Sequence, residues 1–466
     1  MYFNKLLLVL FFLFYGLMFT SCVNQDLRNE LITATIIVPF KKPISINYEQ
    51  PIRISEFTDH YADSKKYEMI ANQLDGLSNS NILRSANQFS IYVTANRQDI
   101  EQICKENKLN YLVDNTFFTW DGNSYSPQHS FSSSISKELV ENNSHGGYPL
   151  SEVRAIYNIP EQLKGTNQTV ALITVGKPSI NDVNFFAKRN KIGYTPLSSL
   201  NSQQNKIDNF IKEEATLAYE SVRATAPNAK LEVFSTQSSS LSDMTELLSR
   251  GISSTTSRIL VICWSIPEEE IPVPIREIWH TLLQEATIQG ITIIANTGIK
   301  RNDQLKEYIG YPASDPLVIA VSGATKGPNE FFEEWDKSAI TVGEKWKKDK
   351  NYSLEESLNK ERNVPDVFMI ADPNWGFKGF LSGKEVKVGG TSIIAPMFAG
   401  ILANIFEANN GAVLHVRNKL LQLNRDAFFE VKPSGQNRAT NQLSADSPNR
   451  AGVPNTEKMI EYFLKK

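Results

Sequence analysis

Short, continuous runs of apolar residues alternate with helical segments from Tyr148 to the end of the chain. A strand that is buried on both faces has such an unbroken apolar run, whereas a strand with one wet face alternates apolar and polar residues. The pattern therefore predicts parallel strands covered by helices on both sides, a doubly wound α/β domain over residues 148–466. The runs are VALITV, LEVF, ILVICW, ITIIA and LVIAV.

The first part of the chain has a different pattern. Residues 36–118 alternate strand-like stretches, TATIIVPF and FSIYVTA, with helical ones, and Asn96 is a predicted N-cap with Asp99 three positions on. This predicts a smaller α+β domain. Residues 119–147 are rich in Ser, Asn and Gly and lack apolar periodicity, so we expect an exposed linker where a maturing protein could be cut.

The amino terminus resembles an export signal. A short apolar core at residues 6–19 follows Lys5 and leads into Thr20, Ser21 and Cys22. A membrane-spanning helix needs about 20 apolar residues, so residues 1–21 are predicted to be a lipoprotein signal peptide that is removed before Cys22, whose thiol is lipidated. The alternative is an uncleaved anchor. Both predict an exported protein held at a membrane of the bacterial cell envelope.

Composition excludes some partners and some kinds of stabilisation. The chain has 466 residues, of which 41% are apolar, and its formal charge of −3 gives no basic field for nucleic acid. Cys104 shares an apolar helix face with Ile100 and Ile103, and Cys263 lies in the apolar run RILVICW. Both cysteines are predicted to be small core residues rather than a disulfide or a metal pair.

Ser392 is the candidate nucleophile. It lies between the pair Gly389 and Gly390, which lets a substrate approach the backbone, and a long apolar helix whose free N–H groups favour negative charge. The other interpretation is a buried serine that caps the helix. A serine needs a base, usually histidine, but none of the five histidines has the flanking residues of a subtilisin-like histidine motif. They are His60, His129, His145, His280 and His415.

Three motifs around this serine, VPDV, ADPxxGF and GGTSxxAPxFAG, occur in the order found in the sedolisin family, serine-carboxyl peptidases with a subtilisin-like fold. The segments beginning at Tyr148 (YPLSEVRAIYNIPEQLKG) and Tyr311 (YPASDPLVIAVSGAT) are also similar to that family. Upstream, RISEFTDHYADSKKYEMIANQL and QFSIYVTANRQDIEQICKENKLNYLVD resemble the activation prodomain of kumamolisin-type members. The resemblance implies a ferredoxin-like prodomain over 36–118 and a peptidase domain over 148–466.

The resemblance implies a glutamate as the general base. The family pattern E-x-x-x-D before an APxAK turn matches EATLAYESVRATAPNAK, which gives Glu214 the position of the base and Ala218 that of its aspartate partner. Glu213 and Glu220 are turned from Glu214 by about 100° and about 240° around the helix, so neither replaces that partner. The alternative for Glu214 is a surface carboxylate.

The family's oxyanion group is a protonated aspartate in AAGDSG. Matching Gly290 and Gly298 puts Ile299 at its position, and an isoleucine donates no hydrogen bond. Asn296 or Thr297 could donate if the loop bends differently, and Asp303 could do so after a local insertion. A neutral turn is the expected role of this loop.

The resemblance also implies a calcium ion near the carboxyl terminus, bound by carboxylates and backbone carbonyls. Glu430 and Asp446 take the carboxylate positions, and Val431, Gln442 and Ser444 would offer carbonyls. The alternative is two solvated loop acids.

We therefore expect a sedolisin-like serine-type endopeptidase that acts on peptides or proteins through Ser392 and Glu214. Its activity should be weakened, because the two replaced carboxyl groups each contribute roughly 10²-fold or more to the rate. The alternative is an inactive pseudopeptidase lipoprotein that binds peptides or a partner protein.

Overall fold

The structure is a computed structural model, and it describes most of the chain after residue 29. The described ranges are 30–46, 50–127, 140–141, 147–193, 198–200, 209–236, 238–298, 309–327, 331–335, 341–344, 362–432 and 452–464. Several residues singled out in the sequence lie outside these ranges: Cys22, His129, His145, Ile299, Asp303, Gln442, Ser444 and Asp446.

The described strands share no uniform direction and form several sheets. In chain order they are β1 Leu31–Ile37, β2 Asn81–Arg84, β3 Ser90–Asn96, β4 Asn110–Val113, β5 Thr116–Phe118, β6 Ser124–Tyr125, β7 Val140–Glu141, β8 Thr169–Val175, β9 Ser198–Leu200, β10 Lys230–Thr236, β11 Ile259–Ile262, β12 Ile266–Pro267, β13 Thr292–Asn296, β14 Gly310–Tyr311, β15 Val318–Lys326, β16 Phe332–Glu334, β17 Thr341–Glu344, β18 Arg362–Val364, β19 Val367–Ile370, β20 Phe377–Leu381, β21 Lys384–Val388, β22 Phe428–Phe429, β23 Val431–Lys432 and β24 Val453–Pro454.

The longest of the described α-helices lie in the second part of the chain. In chain order they are α1 Ile54–Tyr61, α2 Ser64–Asp75, α3 Arg97–Asn107, α4 Leu150–Ile156, α5 Ile180–Arg189, α6 Asn209–Thr225, α7 Leu241–Ser254, α8 Val273–Ile288, α9 Thr391–Ala408, α10 Val416–Leu420 and α11 Thr456–Leu464.

The amino-terminal unit is a six-stranded antiparallel sheet with the order β2-β3-β1-β4-β5-β6. Its first four strands and their helices have the β-α-β-β-α-β connection of a ferredoxin-like unit, as expected from the α+β pattern. Helix α3 begins after Asn96, whose side-chain oxygen accepts the N–H of Gln98. The sheet starts at Leu31 and extends to Tyr125, so it reaches beyond the expected bounds of 36 and 118 at both ends.

The second unit is built on a parallel sheet, which confirms the prediction from the apolar runs. Its parallel strands follow the order β9-β10-β8-β11-β13-β15-β19, and β16 and β23 extend the sheet. Successive residues of a strand enter different cores. Val170 and Leu172 of β8 pack on the side of α6 and α9, whereas Ala171 and Ile173 pack on the side of α7 and α8.

The amino-terminal sheet covers the outer side of α7 and α8. Its apolar side chains Ile37, Phe89, Leu112 and Phe117 belong to the same buried core as those two helices. Polar contacts accompany them, and Thr35 Oγ1 donates to the backbone oxygen of Ser242 over 2.9 Å. The sheet therefore lies on the side of the molecule away from α6 and α9.

Helix α9 is the most apolar of the described helices. It is the one described helix that is long and apolar enough to cross a membrane, but 83% of this stretch is buried inside the protein. It packs against α6, where Gly400 allows a close approach: a Cβ there would lie 2.1 Å from Thr225 Oγ1. Helix α9 is therefore a core helix, and its first turn carries Ser392.

Candidate active site

The chain enters α9 through the predicted pair of glycines. The N–H of Gly390 donates to the backbone oxygen of Ala371 over 2.6 Å, which ties the start of α9 to the carboxyl end of β19. Gly390 has φ of +108°, a conformation that L side chains rarely adopt, and a Cβ on Gly389 would lie 2.4 Å from Pro373. Both positions need glycine, so the sequence pair fixes the backbone just before Ser392.

Ser392 lies inside the first turn of α9 rather than before the helix. Its hydroxyl oxygen is buried, and no described residue forms a hydrogen bond with it. A serine that capped this helix would use its oxygen to accept a backbone N–H, and the N-cap position is occupied by Gly390 instead. The capping interpretation is therefore wrong, and the hydroxyl remains available for chemistry.

Glu214 lies at the same end of the neighbouring helix. Helices α6 and α9 are in contact near Thr225 of α6, whose Oγ1 donates to the backbone oxygen of Met397 in α9 over 2.9 Å. Glu214 precedes Thr225 by about three turns, and Ser392 precedes Gly400, which also contacts Thr225, by about two turns. Both helices run away from the carboxyl edge of the sheet, because α6 leads into β10 and α9 starts at the end of β19. The structure thus brings Ser392 and Glu214 to one edge of the sheet.

The surroundings of Glu214 disfavour its charge. Burial raises the pKa of its carboxyl to about 8, although the residue as a whole keeps partial exposure. Among the described residues no hydrogen bond to this carboxyl is present. This desolvation disfavours the alternative of a solvated surface carboxylate.

Cys263 lies close to Glu214. It follows the carboxyl end of β11 by one residue, and its thiol pKa is raised by burial and further by the charge of Glu214. Its backbone N–H donates to Ile173 on β8. Cys263 is a free cysteine, as expected, and it borders the candidate site in addition to packing in the core.

Ala218 occupies the helix face of Glu214 one turn later and is 3% exposed. It has no carboxyl, so the partner expected from the family pattern is missing. The other two carboxyls of α6 face elsewhere, as predicted: Glu213 accepts the hydroxyl of Ser382 over 3.4 Å, and Glu220 accepts the N–H of Phe380 over 2.9 Å.

Asn296 is the last residue of β13, two strands away from β8 along the sheet. It is buried, and its Oδ1 accepts the N–H of Gly298 over 3.1 Å, which orients the amide and leaves Nδ2 as its donor. The neighbouring Thr297 hydroxyl already donates to Ser322 over 3.1 Å. Ile299 lies outside the described residues, so the expected donor position there is untested. Sequence reasoning gave Asn296 a minor place, although the end of a parallel strand is where α/β proteins place ligand-binding groups.

The described histidines are not part of this edge. His280 belongs to α8, on the opposite side of the sheet, where its Nδ1 lies 2.7 Å from Asp315 and Tyr311 donates to the same carboxylate oxygen. His60 belongs to the amino-terminal unit and His415 precedes α10. None of these three described histidines lies beside Ser392, and His129 and His145 lie outside the described residues.

The calcium prediction is only partly within the described chain. Glu430 is exposed, and Val431 is buried and pairs with Phe332 in the sheet. The other three expected ligands, Gln442, Ser444 and Asp446, lie outside. Calcium takes six to eight oxygens, and the described residues contain no cluster of three or more acidic, histidine or cysteine side chains. The described part does not form a calcium site by itself.

Known proteins resemble this chain in sequence. The subtilase family model matches residues 201–442, slightly more than half of the chain. Kumamolisin of Bacillus sp. (strain MN-32) is 25% identical over 325 residues, which cover 63% of this chain and 58% of the relative. Sedolisin of Pseudomonas sp. (strain 101) is 21% identical over 315 residues, covering 60% of this chain and 54% of the relative. The chain thus spans less than two thirds of the length of these relatives.

Solved structures resemble it in fold. Pseudomonas sedolisin, a serine-carboxyl proteinase complexed with two molecules of pseudo-iodotyrostatin, matches with a TM-score of 0.58 and 19% identity over 68% of this chain and 97% of its own. Fervidolysin from Fervidobacterium pennivorans, a keratinolytic enzyme related to subtilisin, matches with a TM-score of 0.51 and 12% identity over 93% of this chain and 61% of its own. The chain therefore belongs to the subtilase family, and its homologues and fold place it with the sedolisins.

Proposed function

We propose that this chain is a serine-type endopeptidase whose nucleophile is Ser392 and whose general base is Glu214. One observation carries the proposal. A buried serine hydroxyl and a desolvated carboxyl, both without hydrogen-bond partners among the described residues, lie at the same end of two packed helices. Buried polar groups are normally paired, so two unpaired groups at one edge indicate a site prepared for a substrate.

The proposed reaction uses this chain's own side chains. Ionised Glu214 takes the proton of Ser392 while Oγ attacks the carbonyl carbon of a peptide bond. Backbone N–H groups at the start of α9 and Nδ2 of Asn296 stabilise the negative charge on the carbonyl oxygen. Protonated Glu214 then gives its proton to the departing nitrogen as the C–N bond breaks. Water, deprotonated by Glu214, finally attacks the acyl ester on Ser392, and Glu214 returns that proton to Oγ as the ester C–O bond breaks and the acid product leaves.

Asn296 changes the expected pH dependence. An aspartate donates to an oxyanion only while it is protonated, whereas an amide donates at every pH. The base has the opposite requirement, because Glu214 must be ionised and burial raises its pKa to about 8. This pair of groups supports activity at neutral to alkaline pH rather than at acidic pH.

The second candidate is a pseudopeptidase that binds peptides or a partner protein in the same cleft. Ala218 favours it, because Glu214 then lacks a carboxyl that would orient it. Loss of base positioning costs roughly 10²–10⁴ in rate. Hydrolysis by the proposed peptidase is therefore expected to be slow, and the pseudopeptidase would show none.

The deciding experiment is active-site labelling of the full chain with a fluorophosphonate probe at pH 6 and pH 9, with Ser392→Ala as control. We expect labelling of Ser392 at pH 9 and cleavage of an unstructured protein substrate, both abolished by the substitution. Absence of labelling and cleavage at both pH values, together with saturable binding of the same substrate, would establish the pseudopeptidase instead.

We further propose that the amino-terminal unit is an activation prodomain and that Cys22 carries a lipid that holds the exported protein at a bacterial membrane. The sequence supports both, through the prodomain resemblance and the short apolar run that ends at a cysteine. Metabolic labelling with a palmitate analogue in a bacterial host should mark the wild type and leave Cys22→Ala unmarked. Equal labelling of both proteins would contradict the lipid anchor.

A further inference from the structure

A β-hairpin leads directly into the nucleophile. Strands β20 and β21 are joined by the turn Ser382–Gly383, whose φ angles of +51° and +75° suit a tight two-residue hairpin turn. Val388, the last residue of β21, is followed by Gly389 and Gly390 and then by the first turn of α9. Only two glycines therefore separate this hairpin from the helix that carries Ser392.

Two buried carboxyls hold the hairpin from two different helices. Glu220 of α6 is fully buried, and its Oε2 accepts the N–H of Phe380 in β20 over 2.9 Å. Asp182 of α5 is 5% exposed, and its two oxygens accept the N–H groups of Ser382 and Gly383 over 3.0 and 2.8 Å. These contacts join three backbone donors of one hairpin to side chains that are distant in sequence.

The fit at Glu220 is close. A Cβ on Gly379 would lie 2.6 Å from Glu220 Oε2 and 2.5 Å from a methyl group of Val388. Glycine at this position therefore lets the carboxyl reach the strand backbone. The other oxygen, Oε1, is buried, and no described residue forms a hydrogen bond with it. A carboxyl with an unsatisfied buried oxygen lowers the stability of the folded protein. Packing alone therefore does not explain a glutamate at position 220.

We propose that Glu220 and Asp182 are positioning residues that hold the β20–β21 hairpin, and with it Ser392, at a fixed place relative to Glu214. Helix α6 carries both Glu214 and Glu220, so the helix that provides the base also anchors the segment that provides the nucleophile. A misplacement of about 1 Å can cost about 10²-fold in rate. This inference rests on the proposed function, because it assigns the hairpin a role in placing Ser392.

Charge supports the same assignment. Burial raises the pKa of Glu220 well above its usual range, and the neighbouring charge of Asp182 raises it further, while the hydrogen bond from Phe380 acts in the opposite direction. Asp182 is the charged group that faces Glu220 from the adjacent helix. Because the folded-state pKa is raised, the stabilising contribution is complete below the ordinary pKa and is lost as pH rises through the raised one. Ionisation should therefore loosen the hairpin as the pH rises through this raised pKa.

The test compares Glu220→Gln, which keeps an oxygen acceptor for Phe380, with Glu220→Leu, which removes it. Glu213→Gln is the matched control, since it changes an exposed contact to the same turn. For each folded protein we would measure the rate of fluorophosphonate labelling of Ser392 and hydrogen exchange of peptides covering residues 377–392. We expect Glu220→Leu to slow labelling by about tenfold or more and to speed exchange of the hairpin, while Glu220→Gln and Glu213→Gln stay near the wild type.

The pH dependence gives a second readout that does not need Glu220→Leu to fold. After correction for intrinsic exchange, hairpin exchange should rise with increasing pH in the wild type and stay level in Glu220→Gln. An equal rise with pH in both proteins, or labelling of Glu220→Leu at the wild-type rate, would overturn the proposal. Should the wild type not label at all, the peptidase function fails, and the exchange of residues 377–392 still decides whether Glu220 holds the hairpin.

Discussion

Glu214 at the carboxyl edge of the parallel sheet is partly exposed as a residue and Glu285 beneath the amino-terminal sheet is fully buried, yet desolvation raises the pKa of each carboxyl to about 8. Their partners differ. The Glu285 carboxylate accepts hydrogen bonds from Nδ2 of Asn87 over 2.7 Å and from Nε2 of Gln289 over 3.0 Å. The Glu214 carboxyl has no hydrogen bond among the described residues. A raised pKa thus reports burial in both regions, and only the missing partners mark Glu214 as a group kept for a substrate.

The partners of Glu285 also join two units of the molecule. Asn87 belongs to the amino-terminal unit, and its own Oδ1 accepts the hydroxyl of Ser249 in α7 and the N–H of Phe89. The interface therefore contains a connected polar network, which low local dielectric strengthens as long as every member is satisfied. At the edge with Ser392, by contrast, neither the Ser392 hydroxyl nor the Glu214 carboxyl has a hydrogen-bond partner among the described residues.

Replacing each of the two glutamates, Glu214 and Glu285, with glutamine should give the largest difference in kcat/KM. Glu214→Gln removes the proposed base and should lower kcat/KM by roughly 10²–10⁴, while Glu285→Gln should leave kcat/KM within about twofold because it lies on the opposite side of the sheet. Hydrolysis of a fluorogenic peptide library by both variants measures this difference. Equal losses in folded proteins would show that Glu214 has no special place in the reaction.

The pH dependence of hydrolysis should follow Glu214. Since the base acts in its ionised form and its pKa is about 8, the rate should fall about tenfold for each pH unit below that value and approach a plateau above it. A pH–rate profile of the wild type, with Glu285→Gln as the control that keeps the profile, tests this. A maximum at acidic pH would show that a different group, or a partner outside the described residues, sets the protonation state of the base.

The contact between the amino-terminal sheet and helix α8 should depend on pH through Glu285. This is the smallest of the expected effects. Its pKa is raised, so its stabilising contribution is complete below the model-peptide value of 4.5 and is lost as pH rises through about 8. The amino-terminal sheet should therefore exchange hydrogen faster at pH 9 than at pH 6 around Asn87. Glu285→Gln should remove this difference and Ser90→Ala, which loses a neutral contact to Ser249, should keep it. A pH-independent interface in the wild type would contradict the assignment.

Several parts of the fold follow from local patterns alone. The apolar runs predict the parallel strands because both faces of such strands are buried, and Asn96 predicts the start of α3 because its side chain replaces a missing backbone acceptor. The glycine pair likewise predicts the tight entry to Ser392. The predicted boundary at residue 118 missed β6, whose two residues, Ser124 and Tyr125, are both exposed and carry no apolar signal.

The candidate site was only partly predictable. Sequence spacing identifies Ser392 and Glu214 and shows that Ala218 removes a carboxyl. It does not show that Cys263 borders Glu214 or that Asn296 ends a strand at the same edge, because those residues come from strands that are neighbours only in the folded sheet. Matching by glycine position put Ile299 rather than Asn296 at the expected oxyanion position. A sequence match contains no information on where the strand ends.

The sequence by itself determined the family, the parallel sheet, the candidate nucleophile and the absence of a carboxyl at Ala218, because each depends on residue types at short, fixed separations. Only the tertiary structure decided the state of the acidic groups. Glu214, Glu220 and Glu285 are the same residue type on helices, and their different roles arise from burial and from partners up to 198 positions away, as between Asn87 and Glu285. Desolvation and hydrogen bonding are set by neighbours in space, which no local pattern specifies.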